Sequence, residues 1–246
     1  MELFKSHRSI RSYIDRNISE ELLLDIIECG LRASNTGNMQ LYSVIVTRDN
    51  SQKENLAPLH FNQKMVYSAP VLLTICFDLN RFKKWCLLND TNTEFSNLLW
   101  LLNGVIDSTI LAQNICVAAE FNSLGICYLG TTLYNAPEII EVLKLPLGVI
   151  PITALTIGYP DFVPELTDRL PLEAVVHSEY YNDYSNEDIQ SFYKSKEGLD
   201  SSKKFVLENN KSNLAQVYSE VRYKSADSIY FSEKIKKLLL DQGFKL

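Results

Sequence analysis

Apolar residues recur with helical period after Ser19, where Leu22, Leu23, Ile26, Ile27 and Leu31 fall on one face. The Ser19 hydroxyl followed by Glu20 and Glu21 supplies an N-cap and an acidic first turn, so the spacing predicts a helix there. It runs into a polar loop, ASNTGNMQ at 33–40, beyond which Tyr42 to Thr47 reads as a strand. Val71 to Asp78, entered through Pro70, carries the unbroken apolar run VLLTICF, the pattern of a strand buried on both faces. Residues 80–95 are polar and read as a turn-rich connection. Ser96 to about Ser123 then predicts a long helix, apolar all round and therefore expected at the centre of the core. Gly125 ends it and Ile126 to Leu129 reads as a short strand. Asn135-Ala136-Pro137-Glu138 opens a helix that stops before Pro146, and Pro151 to Tyr159 is a further strand.

Past residue 180 the pattern changes to Ser, Asn, Lys and Tyr, with two glycines, no proline and helical stretches near 186–197, 211–223 and 228–242. The chain is therefore expected to hold a main domain over 1–180 and a helical extension over 181–246 that belongs to the same globular unit. With 246 residues, 46% hydrophobic and 22% charged, it is long enough for a large core and too apolar for disorder. A net charge of −6 repels phosphate backbones and anionic membranes, so no nucleic-acid or membrane partner is expected. Asn103, Asp107, Gln113, Asn114 and Glu120 interrupt the most apolar window and argue for burial in protein rather than lipid. The basic N-terminus lacks the following apolar run of a secretory signal. Five cysteines without a Cys-x-x-Cys pair suit a reducing cytoplasm, and His7, His60 and His177 stand far apart in sequence, so no metal site is expected.

Three segments could carry chemistry. His7-Arg8-Ser9-Ile10-Arg11-Ser12-Tyr13 concentrates guanidiniums, an imidazole and hydroxyls suited to phosphate oxygens. The 33–40 loop offers Asn35, Thr36, Asn38 and Gln40, whose donors and acceptors suit a heterocycle edge. Gly125-Ile126-Cys127-Tyr128-Leu129-Gly130-Thr131-Thr132 permits close backbone approach to a flat ligand. No G-x-G-x-x-G or phosphate-loop motif occurs, which disfavours a dinucleotide-binding Rossmann domain and a P-loop.

HRSIRSY, ASNTGNMQ, the YLG element, the IGYPD stretch and RLPLEAVVH, in that order, resemble the nitroreductase family of flavoproteins over about residues 5–180. The resemblance implies an α+β, three-layer α/β/α fold. Its central sheet would be mixed and mainly antiparallel, with a long core helix, in an intertwined homodimer that binds FMN non-covalently between subunits. It assigns His7, Arg8 and Ser9 to the FMN phosphate and Arg11 to the phosphate or ring edge. Asn35, Thr36 and Asn38 would contact the flavin from the second subunit, Gln63 its polar edge, Tyr128, Leu129 and Gly130 the ring, and Arg169 the phosphate.

It further implies hydride transfer from NAD(P)H through FMN to nitroaromatic, quinone or flavin acceptors in a ping-pong cycle, with no catalytic side chain required and no metal. The alternative is an FMN-binding module without efficient nicotinamide turnover. Two departures stand out. Thr167 occupies the place of a family lysine, and Lys203, Lys204, Lys211, Arg222 and Lys224 do not match the subgroup's arginines for the NADPH 2′-phosphate.

Overall fold

Among the described residues, four strands form one antiparallel sheet in the order β1-β2-β4-β3, with β1 at Tyr42–Thr47, β2 at Val71–Asp78, β3 at Gly125–Leu129 and β4 at Val149–Gly158. The computed structural model describes residues 1–91 and 94–246. Every residue of β2 is buried, as its unbroken apolar run predicts. Ser9 and Ile126 form an isolated parallel bridge at the β3 edge, while every pairing between the strands is antiparallel.

Both sheet faces are covered, giving the three α/β/α layers. On one, Leu73, Ile75 and Leu155 meet Leu111 and Ile115 of the Leu98–Phe121 helix and Leu23 and Ile26 of the Glu20–Leu31 helix. Ser19 caps the latter, accepting from the Leu22 amide at 3.2 Å. On the other face, Leu72, Leu129 and Ala154 meet Leu56, Met65, Val66 and Ile139. Residues 80–95, expected to be irregular, instead carry the Asn80–Leu88 helix. Its apolar residues Phe82, Trp85 and Cys86 lie at helical spacing among the polar ones, and Phe82 packs on Phe95 and Trp85 at 5.3 and 5.8 Å between centroids.

The Leu98–Phe121 helix is long and apolar enough to cross a membrane, but half of its most apolar window is buried inside the fold. Its faces differ. Gly104, Asp107, Ser108, Leu111 and Ile115 are buried, whereas Leu99, Leu102 and Ile106 are 63%, 52% and 55% exposed. The helix is therefore a core element on one side and an uncovered apolar stripe on the other.

Chain segments divide into two compact units, Met1–Glu165 with Lys234–Leu246, and Leu166–Glu233. In the first, the last residues return to the core: Leu238, Leu239 and Phe244 pack with Phe77 and Ile150, and Lys234 pairs with Glu138 at 2.7 Å. The second is helical, with Asn186–Gly198, an Asp200–Glu208 helix absent from the sequence expectation, and Leu214–Arg222 as a short α-helix continued by a π turn. Ser225–Asp241 begins in the second unit and ends in the first.

A Cβ on Gly104 would stand 2.1 Å from the fully buried Phe77 ring, a contact no real side chain tolerates. Gly104→Ala gains about 1 kcal/mol of helix propensity, but overpacking against a trapped ring costs about 1–3 kcal/mol before any strain is added at so short a distance. Net destabilisation is expected, read as a lower urea midpoint at unchanged m-value.

Candidate functional site

The N-terminal segment is threaded along the sheet edge by its backbone and one phenol. The Ile10 amide donates to the Ile126 carbonyl at 2.8 Å and the Ile14 amide to Tyr159 at 3.0 Å. Tyr13 is buried; its hydroxyl donates to the Ile10 carbonyl at 2.7 Å and lies 2.8 Å from Thr156 Oγ1. Burial raises this phenol far above its ordinary range. Ile10 occupies the space above Gly125, where a Cβ would fall 2.5 Å from it. With Ile10 and Tyr13 turned inward, Arg11 is left exposed.

His7, Arg8, Ile10, Glu120, Gly125 and Pro160 line a depression of about 300 Å³. Arg8 Nη1 donates to the Ser6 carbonyl at 3.2 Å, while its Nε is buried without a partner. An orphaned charged donor of this kind costs free energy that a bound acceptor would return. His7 Nδ1 lies 2.6 Å from Glu120 Oε1 and 4.0 Å from Cys116 Sγ. Groups remote in sequence meet here, because the core helix carries Cys116 and Glu120 back to residue 7. Burial pushes the Cys116 thiol up to about 12, so it stays protonated at neutral pH.

At the far end of β3, Leu129 is buried, the Tyr128 hydroxyl donates to Gln113 Oε1 at 3.2 Å, and Gly130 is exposed with open space where a Cβ would point. Gln63 meets this turn from a remote segment. Its Nε2 donates to the His60 carbonyl at 3.0 Å and to Thr131 Oγ1 at 3.3 Å. His60 is 1% exposed, its Nδ1 is 2.9 Å from the same Thr131 oxygen, and burial pushes its pKa down to about 4, so the ring is neutral at pH 7. Sequence reasoning named His60 and Glu120 but gave neither a place in the site, and it took Thr131 only as part of the 125–132 segment, because their contacts join segments remote in sequence.

The 33–40 loop lies elsewhere. The Thr36 amide and hydroxyl both donate to the Asp107 carboxylate at 3.0 Å, Asn35 Oδ1 accepts from the Gln40 amide at 3.3 Å, and Asn38 Oδ1 accepts from Gln40 Nε2 at 3.3 Å. Gly37 and Asn38 hold the turn at φ +59° and +54°. Asp107 and Glu120 share one helix, and at about 1.5 Å rise per residue they stand about 20 Å apart along its axis. Asn35, Thr36 and Asn38 are therefore not brought to the His7 end within one chain.

Arg169 belongs to the second unit, exposed, with Nη1 donating to Thr167 Oγ1 at 2.7 Å and to the Asp168 carbonyl at 2.9 Å. In the same unit Lys203 pairs with Asp200, Lys204 with Glu208 and Lys211 with Glu220, and Arg222 lies 5.7 Å above the Phe205 ring.

Tyr13→Phe leaves the Ile10 carbonyl and Thr156 hydroxyl without their phenolic partner. A loss of about 1–3 kcal/mol in unfolding free energy is expected in urea titration, an effect that an equally stable variant would contradict.

A model described as the nitroreductase family matches residues 4–159. A curated NADPH-flavin oxidoreductase of Vibrio harveyi is 35% identical over 193 residues, 78% of each chain. An FMN reductase [NAD(P)H] of Bacillus subtilis is 32% identical across 100% of this chain and 98% of its own. Among solved structures, a putative oxidoreductase from Bacteroides fragilis is 48% identical with a TM-score of 0.99 and full coverage of both chains. NfrA2 of B. megaterium is 32% identical with a TM-score of 0.87, covering 100% of this chain and 97% of that one.

Proposed function

Since the chain belongs to the nitroreductase family, we propose that its N-terminal and β3 segments hold FMN and that the protein works as an FMN-dependent NAD(P)H oxidoreductase. The observation that carries the site is the orphaned Arg8 Nε beside His7 and a depression at the edge of β3: a buried cationic donor lacking an acceptor suits a phosphate. Arg8, His7 and Ser9 would hold the phosphate, with Arg11 beside it. Tyr128, Leu129, the exposed Gly130 amide and Gln63 would line the ring. Arg169 would add its charge to the phosphate, so the flavin-binding segment is taken to run to about residue 180.

FMN, when bound, supplies two-electron chemistry, accepting a hydride equivalent from NAD(P)H and passing electrons to a nitroaromatic, quinone or flavin acceptor, so donor and acceptor use one site in turn. The protein's own contribution is placement. Guanidiniums and the imidazole fix the phosphate end, the backbone at Gly130 leaves room for a flat group, and the covered sheet faces keep water from the inner side. This explains the lack of a recognisable acid, base or nucleophile constellation in the sequence.

A homodimer completes the site. Leu99, Leu102 and Ile106 form an uncovered apolar stripe of the kind a second copy buries, and the loop at Asn35, Thr36 and Asn38 lies about 20 Å from its own His7 end. A partner's loop supplies what the chain's own cannot. The relatives named above come from bacteria, and five unpaired cysteines suit the cytoplasm as the proposed location.

Purified protein should be yellow near 450 nm and bleach anaerobically with NADPH or NADH. Protein that binds no FMN overturns the reading, and FMN that neither nicotinamide bleaches favours a binding module, for which the capture of Arg169 by Thr167 is the supporting contact. Arg8→Ala should weaken FMN affinity about tenfold or more by fluorescence titration while the circular dichroism spectrum is unchanged. Ile106→Asp should yield monomers by sedimentation and release FMN, because each site draws on two chains.

A further inference from the structure

His7, Cys116 and Glu120 form a cluster that phosphate binding alone does not require. Cys116 and Glu120 stand four residues apart on the Leu98–Phe121 helix, so their side chains share one face a turn apart. His7 closes on them from the N-terminal segment, which the hydrogen bond from the Ile10 amide to Ile126 ties to β3. One candidate ligand atom from each residue, an imidazole nitrogen, a sulfur and a carboxylate oxygen, lies within 4.8 Å of the other two. His7 Nδ1 is the shared point, 2.6 Å from Glu120 Oε1 and 4.0 Å from Cys116 Sγ. Linear spacing hides the set, because 109 residues separate His7 from Cys116.

We infer that His7, Cys116 and Glu120 form a binding site for a borderline divalent transition-metal ion, Zn²⁺ above all, whose fourth position opens to the adjoining depression. Tetrahedral zinc holds such ligands at about 2.0–2.3 Å, which sets neighbouring ligand atoms about 3.3–3.6 Å apart. Closing the gap to the sulfur and opening the one to the carboxylate each take less than about 1 Å, a matter of side-chain rotation. A thiolate beside an imidazole selects zinc over magnesium and calcium, which take oxygen ligands. Charge agrees as well: Zn²⁺ with one thiolate and one carboxylate is neutral, so the Arg8 guanidinium on the same depression faces no net repulsion. His7 and Glu120 both line that depression, which gives an ion its way to the buried sulfur. Binding releases the Cys116 thiol proton to solvent, and the proton between Nδ1 and Glu120 moves to Nε2 or to solvent. Metal on Nδ1 leaves Nε2 for an anion, so the site stands beside the proposed phosphate role of His7 without depending on it.

The test is zinc binding to the full-length protein, reduced and freed of metal by a chelator, read by competition with a chromophoric zinc chelator. One Zn²⁺ per chain is expected. Co²⁺ in its place should give a sulfur-to-cobalt charge-transfer band and the intense visible bands of a tetrahedral site, recorded as a difference spectrum so that any flavin cancels. Cys116→Ala should abolish the charge-transfer band and weaken zinc binding by about tenfold or more, since even an outer partner of a zinc ligand is worth about 10–100-fold. Glu120→Gln should weaken zinc binding by a similar factor while keeping the band. Cys29→Ser, at the exposed cysteine, should change neither.

Absence of stoichiometric zinc binding, a cobalt spectrum without sulfur charge transfer, or zinc affinity that survives in Cys116→Ala overturns the inference. If Cys116→Ala does not fold, Glu120→Gln and His7→Gln carry the same comparison, and unchanged zinc affinity in both overturns it. Each of these results leaves the flavoprotein reading where it stands, because FMN binding is measured separately.

Discussion

One buried phenol ties the candidate site to the sheet. The Tyr13 hydroxyl bonds the Ile10 carbonyl and Thr156 of β4, while the Ile10 amide bonds Ile126 of β3, so three separate stretches share one junction. His7 and Arg8 have no reason of their own to lie beside Gly125; two polar side chains in an exposed N-terminal tail would stay in water. Ile10 and Tyr13 supply the burial that holds them there, and Gly125 supplies the space, because a side chain at that position would collide with Ile10. Affinity at the proposed anion site would therefore depend on apolar and hydroxyl groups that never touch the anion.

The long helix adds a second constraint. Its buried face gives the sheet its packing partner, and from the same segment Asp107 fastens the 33–40 loop while Glu120 fastens His7. A rigid rod that anchors both groups also keeps them about 20 Å apart. The same helix exposes Leu99, Leu102 and Ile106 along its other side. Separation of the polar groups and exposure of the apolar stripe are two consequences of one geometry, and the proposed pairing of two copies would answer both.

Much of the architecture was legible because burial leaves periodic marks. The β1 and β2 boundaries follow from β-branched and apolar runs, and the Ser19 cap from side-chain chemistry at one position. Asn80–Leu88 was missed because Asn80, Arg81, Lys83, Lys84 and the Asn89-Asp90 that follows resemble a connection, although Phe82 packs on Phe95 and Trp85. The N-terminal motif was legible as a cationic cluster, yet its Glu120 and Cys116 neighbours were not, since contacts across 113 and 109 residues leave no local signature. Likewise Gln63 stood out as a polar side chain, but its bonds to His60 and Thr131 did not.

By itself the sequence determined which residues are chemically able to serve, where helices and strands begin, and that the order of motifs resembles one family. Local propensity, capping and periodicity are properties of neighbours in the chain, and neighbours are what a sequence displays. Tertiary structure alone decided that Arg8 Nε is orphaned, that His60 is buried and neutral, that Gln63 bonds Thr131, and that Thr36 sits far from His7. These depend on distances between remote segments and on water excluded by packing, and neither quantity exists until the chain has folded.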